Sequence, residues 1–340
     1  MNGIYILAND FVYHQLVALL NSIEANVGVD MPICIVPYDD RLDQVRAEIA
    51  RRPQVSLFEN PAAIAKWEAF ATRAWKAHDR AQAAWKMRDL PAVYRLAMHR
   101  KLCCFEGEFD RFIYFDADTL ALGAVDAVFE KLADFDWVAN DYQYCSDRKY
   151  IFDVPPEQLT PVFPADQIAS SIFCAGWFAS KKGVFSDTKL AELLTALEAG
   201  EADVMALWGP DQSLMNYLVL RSGMSYYNFA LHGDAPGSHW SSQFAEIDHV
   251  LYDRGRQLTY LHYMSIASAK FNQLCAGIDV DIPYRDLFLH YRYLNAASQR
   301  PTEFVKLKES RSLQQLINQK IGNLKHKLRQ LTTNARNTQK

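Results

Sequence analysis

The sequence contains no C-x-x-C pair, no apolar run of about eighteen uncharged residues, and no basic segment leading into an apolar one at its start. Each absence removes a class of protein. Met1 to Phe11 carry neither the basic nor the long apolar part of a secretory signal, and nothing downstream stays apolar long enough to span a bilayer, so a cytoplasmic protein is expected. The six cysteines (Cys34, Cys103, Cys104, Cys145, Cys174 and Cys275) stand at irregular spacings in mostly apolar stretches. They read as free thiols in a reducing compartment, and no zinc site is expected.

Positive charge is scarce outside the C-terminal segment. Residues 301–340 hold nine Lys or Arg against Glu303 and Glu309, a net +7, so with an overall charge of -4 the other 300 residues carry -11. Binders of nucleic acid present a basic face on their folded part, and an acidic body argues against that partner. Within the tail, Leu313, Ile317, Ile321, Leu324, Leu328 and Leu331 recur at helical spacing, with Lys320, Lys325, Lys327 and Arg329 around them. A basic amphipathic helix over 311–331 fits an anionic membrane surface. It also fits a coiled coil with a second copy of the chain, or a plain docked helix, and Gly322 weakens all three.

Half of the residues are apolar, enough at this length for one large α/β domain or two modest ones. Residues 3–8 (GIYILA) read as a buried strand, residues 13–25 place Leu16, Leu19, Leu20 and Ile23 at helical spacing, and residues 32–37 (PICIVP) read as a second strand. Such a β-α-β opening implies a parallel sheet with ligands at the carboxyl ends of its strands, which puts Asn9 and Asp10 where a nucleotide would sit. Residues 61–105 predict two or three helices carrying Trp67, Trp75 and Trp85, as anchors on the sheet or as a ligand-facing surface. Residues 112–115 (FIYF) are the clearest strand and run straight into Asp116-Ala117-Asp118. From Asn140 to Ser171 a loop-rich stretch follows, where Pro155, Pro156, Pro161 and Pro164 oppose regular structure. Strands over 172–180 and 257–264, the second holding His262, and helices over 188–197 and from Pro210 through Leu218 complete the pattern.

Along an extended chain residues two apart share a face, so Asp116 and Asp118 offer two carboxylates to one point at the end of a buried strand. Two like charges there are costly unless a cation joins them. Hard oxygen ligands suit Mg²⁺ or Mn²⁺, and an added imidazole shifts the balance toward Mn²⁺. The bland alternative is a pair of turn or cap residues, which the four apolar residues just before the motif disfavour. Two enzyme chemistries use the pattern. Asp116-Ala117-Asp118-Thr119 matches the Asp-x-Asp-x-Thr loop of phosphatases with a nucleophilic aspartate. That loop, however, normally follows the first strand of its domain, and here a whole β-α-β unit precedes it.

The second chemistry is glycosyl transfer. Residues 100–122 (RKLCCFEGEFDRFIYFDADTLAL) resemble the corresponding segment of glycosyltransferase family 8, the group of glycogenin and the retaining bacterial galactosyltransferases. Residues 173–177 (FCAGW) are similar to the family's Asn-Ala-Gly or Asn-Ser-Gly strand, and residues 210–216 (PDQSLMN) to its Asp-Gln-x-x-x-Asn segment. Residues 227–229 (YNF) and 261–263 (LHY) follow in family order.

The resemblance implies an α/β fold of the GT-A type, Rossmann-like with a mixed central sheet. It implies one domain over 1–300, with nucleotide bound by about the first 120 residues and acceptor by residues 121–300; the basic tail, 301–340, lies beyond. The implied activity is metal-dependent, retaining transfer of a hexose from a nucleotide diphosphate sugar, mostly UDP-linked in this family, to a glycan or lipid-linked acceptor. Mn²⁺ or Mg²⁺ would lie on Asp116, Asp118 and His262, with Ala8, Asn9, Asp10 and Ala117 beside the nucleotide. Lys101 and Lys270 would face donor phosphate, and Asp211 and Gln212 the reactive face of the sugar. Two departures stand out. The family pattern His-x-x-Gly-x-x-Lys-Pro-Trp is HYMSIASAK over 262–270, with the lysine two positions late, and Cys174 replaces the usual asparagine. Taken singly, His262 also reads as a hydrogen-bonded strand histidine and Asp211 as a helix N-cap beside Pro210. A catalytically silent nucleotide-sugar binder and the phosphatase are the alternatives.

Overall fold

The computed structural model describes residues 1–142, 148–233 and 238–306. Cys145 and the amphipathic segment over 311–331 lie outside the described residues. Among the described residues no helix is long and apolar enough to cross a membrane.

The strands β1 (Asn2–Ala8), β2 (Ile33–Pro37), β3 (Val55–Leu57), β4 (Arg111–Asp116), β5 (Thr119–Ala121), β6 (Trp137–Ala139), β7 (Trp177–Lys181) and β8 (Tyr226–Asn228) supply the main sheet, with β5 alone outside it. Its order is β3-β2-β1-β4-β7-β6-β8. The first four strands in that order run parallel, and β7 is antiparallel to both β4 and β6. Later come β9 (Ser238–His239), β10 (Ala245–Ile247), β11 (Val250–Asp253), β12 (Arg256–Gln257) and β13 (Tyr260–His262). A small sheet β5-β13-β9 stands beside the carboxyl end of β4.

Strand β1 shows why the sheet is central. Tyr5 and Leu7 point into one apolar cluster while Ile4, Ile6 and Ala8 point into another. A strand covered on both faces reads as a continuous apolar run rather than an alternating one. The first cluster takes Trp67, Trp75 and Trp85 from the helices Pro61–Lys76 and Asp79–Met87, all at most 1% exposed. They are anchors, and truncating any one to alanine should cost about 3–5 kcal/mol. Under the opposite face lies the helix Tyr13–Asn26, contributing Leu16, Leu19, Leu20 and Ile23.

Three expectations need correction. Pro156 opens the helix Pro156–Leu159, and Pro164 directly precedes the helix Ala165–Ser171, because proline's fixed φ and missing N–H suit a helix start. The strand expected over 172–180 begins only at Trp177; residues 172–176 instead arch over the end of β4, where the Gly176 carbonyl accepts from the Asp116 N–H at 2.8 Å. Asp211 is not an N-cap. Gly209 holds that position without a side-chain bond, and the Asp211 carboxylate turns to Lys101.

Candidate active site

Strands β1 and β4 pair with Leu7 opposite Asp116, so the chain leaving β1 at Ala8 and Asn9 emerges beside Asp116-Ala117-Asp118. Thr119 Oγ1 donates to the Asp116 carbonyl at 2.7 Å, closing a tight turn into β5. Antiparallel pairing of β5 with β13 sets His262 opposite Thr119, and the Tyr263 N–H donates to the Asp118 carbonyl at 2.9 Å. Backbone pairing alone thus delivers the imidazole to the carboxylates. His262 Nε2 lies 3.2 Å from Asp118 Oδ1. Ligand atoms of Asp116, Asp118 and His262 all fall within 4.8 Å of one another. One octahedral coordination sphere of Mn²⁺ or Mg²⁺ spans about 4.2 Å, so the two oxygens and one nitrogen close on such an ion with small side-chain movements.

Beneath this set sits Lys101, 1% exposed. Its Nζ donates to Asp116 Oδ1 at 3.1 Å and to the Ala175 carbonyl at 3.2 Å, and pairs with Asp211 Oδ2 at 2.8 Å. The ammonium's three donors are matched by three acceptors. Tyr114 adds a hydroxyl to Asp116 Oδ1 at 2.5 Å. Burial pushes the Asp116 carboxyl upward against the pull of Lys101, and the Asp118 charge adds to the rise. Burial pushes Asp118 and Asp211 upward as well, but the charge and hydrogen bond of His262, helped by a backbone bond and Lys101, bring Asp118 below its ordinary range, and the charge and hydrogen bond of Lys101, helped by His99 and a backbone bond, do the same for Asp211. Burial alone would lower His262, but Asp118 and then Cys174 hold it well above the ordinary histidine range. Opposed shifts among close titratable groups in a cleft are a mark of a candidate functional site.

A cavity of about 400 Å³ opens above the carboxylates, lined by Ala8, Asn9, Gln15, Tyr38, Arg95, Asp116, Ala117 and Asp118 among others. Of the other anticipated residues, Asn9 Nδ2 donates to Asp39 at 2.9 Å. Asp10 Oδ1 accepts from the Gln44 and Val45 N–H groups at 3.0 Å each, capping the helix Asp43–Ile49. Asp211 and Gln212 occupy the first turn of the helix Pro210–Arg221. Lys270, on the helix Ser268–Cys275, donates to the Asp281 carbonyl at 3.2 Å. The cavity thus gathers Ala8, Asn9 and the Asp116–Asp118 motif, while Asp10, Lys101 and Lys270 are engaged with the protein around it.

Several contributors escaped the sequence reading. Gln15 is 2% exposed, lines the cavity, and neither atom of its amide has a hydrogen-bond partner among the described residues. A buried amide left unpaired costs about 1–3 kcal/mol, a penalty that a ligand in the cavity would relieve. Helical periodicity over residues 13–25 singles out Leu16, Leu19, Leu20 and Ile23 and gives no signal at Gln15. Arg95, in the left-handed region at φ 56°, brings a guanidinium to the cavity wall and to a neighbouring cavity of about 550 Å³. Gly176 leaves room for His262: a Cβ there would lie 2.3 Å from His262 Cε1. The glycine of the FCAGW segment was the available signal for that contact.

No family model matches the sequence, and no curated protein matches it. Among solved structures the chain is similar to WbbM, a bifunctional glycosyltransferase in its apo form, at a TM-score of 0.55 and 16% identity, over 89% of this chain and 52% of that one. The fold is that of a GT-A glycosyltransferase. The chain spans about half the length of WbbM. It is also similar to the galactosyltransferase LgtC in complex with donor and acceptor sugar analogs, with TM-score 0.48 and 15% identity over 84% of this chain and 100% of LgtC. GlyE of Streptococcus pneumoniae TIGR4 aligns with TM-score 0.47 and 11% identity, over 87% of this chain and 61% of that one. At 16% identity the likeness to WbbM establishes the fold alone, and the chemistry rests on the residues of the site.

Proposed function

We propose that the chain is a metal-dependent, retaining glycosyltransferase that moves a hexose from a nucleotide diphosphate sugar, with UDP as the nucleotide, to a glycan or lipid-linked acceptor. One observation carries the proposal: Asp116 at the end of the main sheet, Asp118 just beyond it and His262 of the small sheet bring their ligand atoms within 4.8 Å of one another, and the two carboxylates line the cavity that opens beyond β1 and β4. Retention, hexose, UDP and Mn²⁺ rest on the family 8 resemblance. Residues 1–120 would hold the nucleotide and 121–300 the acceptor, and attachment of the tail at a membrane would suit a lipid-linked acceptor.

Asp116, Asp118 and His262 would hold the divalent cation, which when bound offsets the negative charge that grows on a departing diphosphate. Ala8, Asn9 and Ala117 line the nucleotide end of the cavity, and the unpaired Gln15 amide is the group there with hydrogen bonds to give. Arg95 supplies positive charge for phosphate, a role in which Lys270 would need to leave the Asp281 carbonyl. Lys101 positions the site by holding Asp116 and Asp211 on one ammonium. Asp211, kept ionised by that contact, orients the acceptor hydroxyl, and Gln212 positions the sugar. Asp211→Asn should therefore slow transfer by a factor of about 100 or more, as loss of a general-base or orienting group does, while donor affinity holds.

The phosphatase alternative needs Asp116 free as a nucleophile on a first strand. Here Asp116 ends the fourth strand in chain order, and its Oδ1 already accepts from Lys101 and Tyr114. Calorimetric titration of UDP with and without Mn²⁺, into wild type and Asp116→Ala/Asp118→Ala, tests the proposal. Binding that needs both the ion and the aspartates supports it and leads to a screen of UDP-sugars for hydrolysis. Absence of metal-dependent binding by UDP and every other nucleoside diphosphate would overturn it.

A further inference from the structure

Next to His262 stand two side chains, Cys174 and His239, that the proposed reaction does not use. Cys174 Sγ, a ring nitrogen of His239 and a ring nitrogen of His262 fall within 4.8 Å of one another. Cys174 is a buried free thiol on the arch 172–176. His239 ends β9, which pairs in parallel with β13 so that His239 stands beside His262, their ring centroids 5.4 Å apart. Both His239 nitrogens are buried without a hydrogen-bond partner among the described residues. A half-buried imidazole whose two buried nitrogens stand idle beside a thiol and a second imidazole is a costly arrangement that a cation would satisfy.

We propose that Cys174, His239 and His262 form a second cation site, of the thiolate–imidazole kind that Zn²⁺ occupies, and that it shares His262 with the carboxylate set. The distances suit the ion. Tetrahedral Zn²⁺ with ordinary Zn–S and Zn–N bonds separates sulfur from nitrogen by about 3.6 Å, and Cys174 Sγ lies 3.7 Å from His262 Nδ1. The two nitrogens of His262 face different sets. Nδ1 meets Cys174, while Nε2 lies 3.2 Å from Asp118 Oδ1. With Zn²⁺ on Nδ1, the Nε2–H donates to Asp118, the carboxylate–histidine–zinc arrangement that fixes a ligating tautomer. With a hard ion on Nε2, the proton sits on Nδ1 and points at Cys174. One ring thus serves the soft site or the hard site, and Zn²⁺ at the first withdraws a ligand from the second. Binding converts the Cys174 thiol to thiolate and releases its proton to water, and three protein ligands leave a fourth position for water.

Co²⁺, which takes Zn²⁺ geometry and reports a thiolate ligand by a near-ultraviolet charge-transfer band, is the probe, added to the full chain without nucleotide. The outcome is then independent of whether the chain transfers sugars. The expected result is a band in wild type that Zn²⁺ abolishes, that persists in Asp116→Ala, and that is absent in Cys174→Ser. No band in wild type, or a band that survives in Cys174→Ser, overturns the proposal. His239→Ala keeps the test open should Cys174→Ser fail to fold. Its Zn²⁺ affinity, read by competition with a chromophoric chelator, should fall at least tenfold, and an unchanged affinity overturns the site.

Discussion

Replacing Gly176 by alanine tests the placement of His262 with a single added carbon. A Cβ at position 176 would lie 2.3 Å from His262 Cε1 and 2.9 Å from Nδ1, whereas carbon atoms rest about 3.5–4.0 Å apart. The ring must retreat by roughly an ångström, several times the ~0.2 Å within which metal–ligand distances hold. It has little room to do so. His262 is 4% exposed, and its nitrogens already meet Asp118 and Cys174. The expected outcome is Mn²⁺ binding weakened about ten- to a hundredfold, the range found when the support of a ligating histidine is lost, or about 1.4–2.8 kcal/mol. Electron paramagnetic resonance of free Mn²⁺ during titration measures it, with circular dichroism as the check on folding. In a His262→Ala background the same substitution should cost nothing further, because effects that run through one ring do not add. Unchanged affinity in the single variant, or an equal loss in both backgrounds, would refute the reasoning.

Lys101→Met leaves the Asp116 and Asp211 carboxylates facing each other without their shared cation, and should lower stability by about 3–5 kcal/mol in urea unfolding without metal; a melt like wild type would show that the pair is not held as described. Gln15→Leu removes an unpaired buried amide, so stability should hold or rise by about 1 kcal/mol while UDP affinity falls, and an equal loss of both would make Gln15 structural. His14 provides a pH test away from the site. Burial, then Arg292 donating to His14 Nδ1 at 2.9 Å, lowers the imidazole to about 4. Its pKa is depressed on folding, so the unfolded chain takes up the proton first and stability drains as pH falls from about 6.5 toward 4. Allowing for partial exposure, His14→Asn should remove about 2 kcal/mol of that drop, measured by urea unfolding at pH 7 and pH 4.5. An identical pH slope in the variant would assign the acid sensitivity to other groups.

What the sequence determined by itself was everything written in local periodicity. The run FIYF, the helical spacing of Leu16, Leu19, Leu20 and Ile23, and the β-α-β order forced a sheet buried on both faces, and a buried strand running into Asp116 and Asp118 set two carboxylates, a candidate cation site, at its end. Prolines were read too strongly as breakers, since Pro156 sits where a helix can begin. The fold decided what depends on residues far apart in the chain. Lys101 meets Asp211 only because β4, the arch 172–176 and the helix Pro210–Arg221 come together, which turns an expected phosphate ligand into the support of two carboxylates. Asp10, next to Asn9 in sequence, is drawn off to cap a helix because its short carboxylate reaches two free N–H groups there. Cysteine spacing held no zinc motif, yet strand pairing sets Cys174, His239 and His262 around one point. Periodicity reports which face a residue occupies, whereas a coordination sphere is assembled from strand register across the whole chain, and only the tertiary structure carries that register.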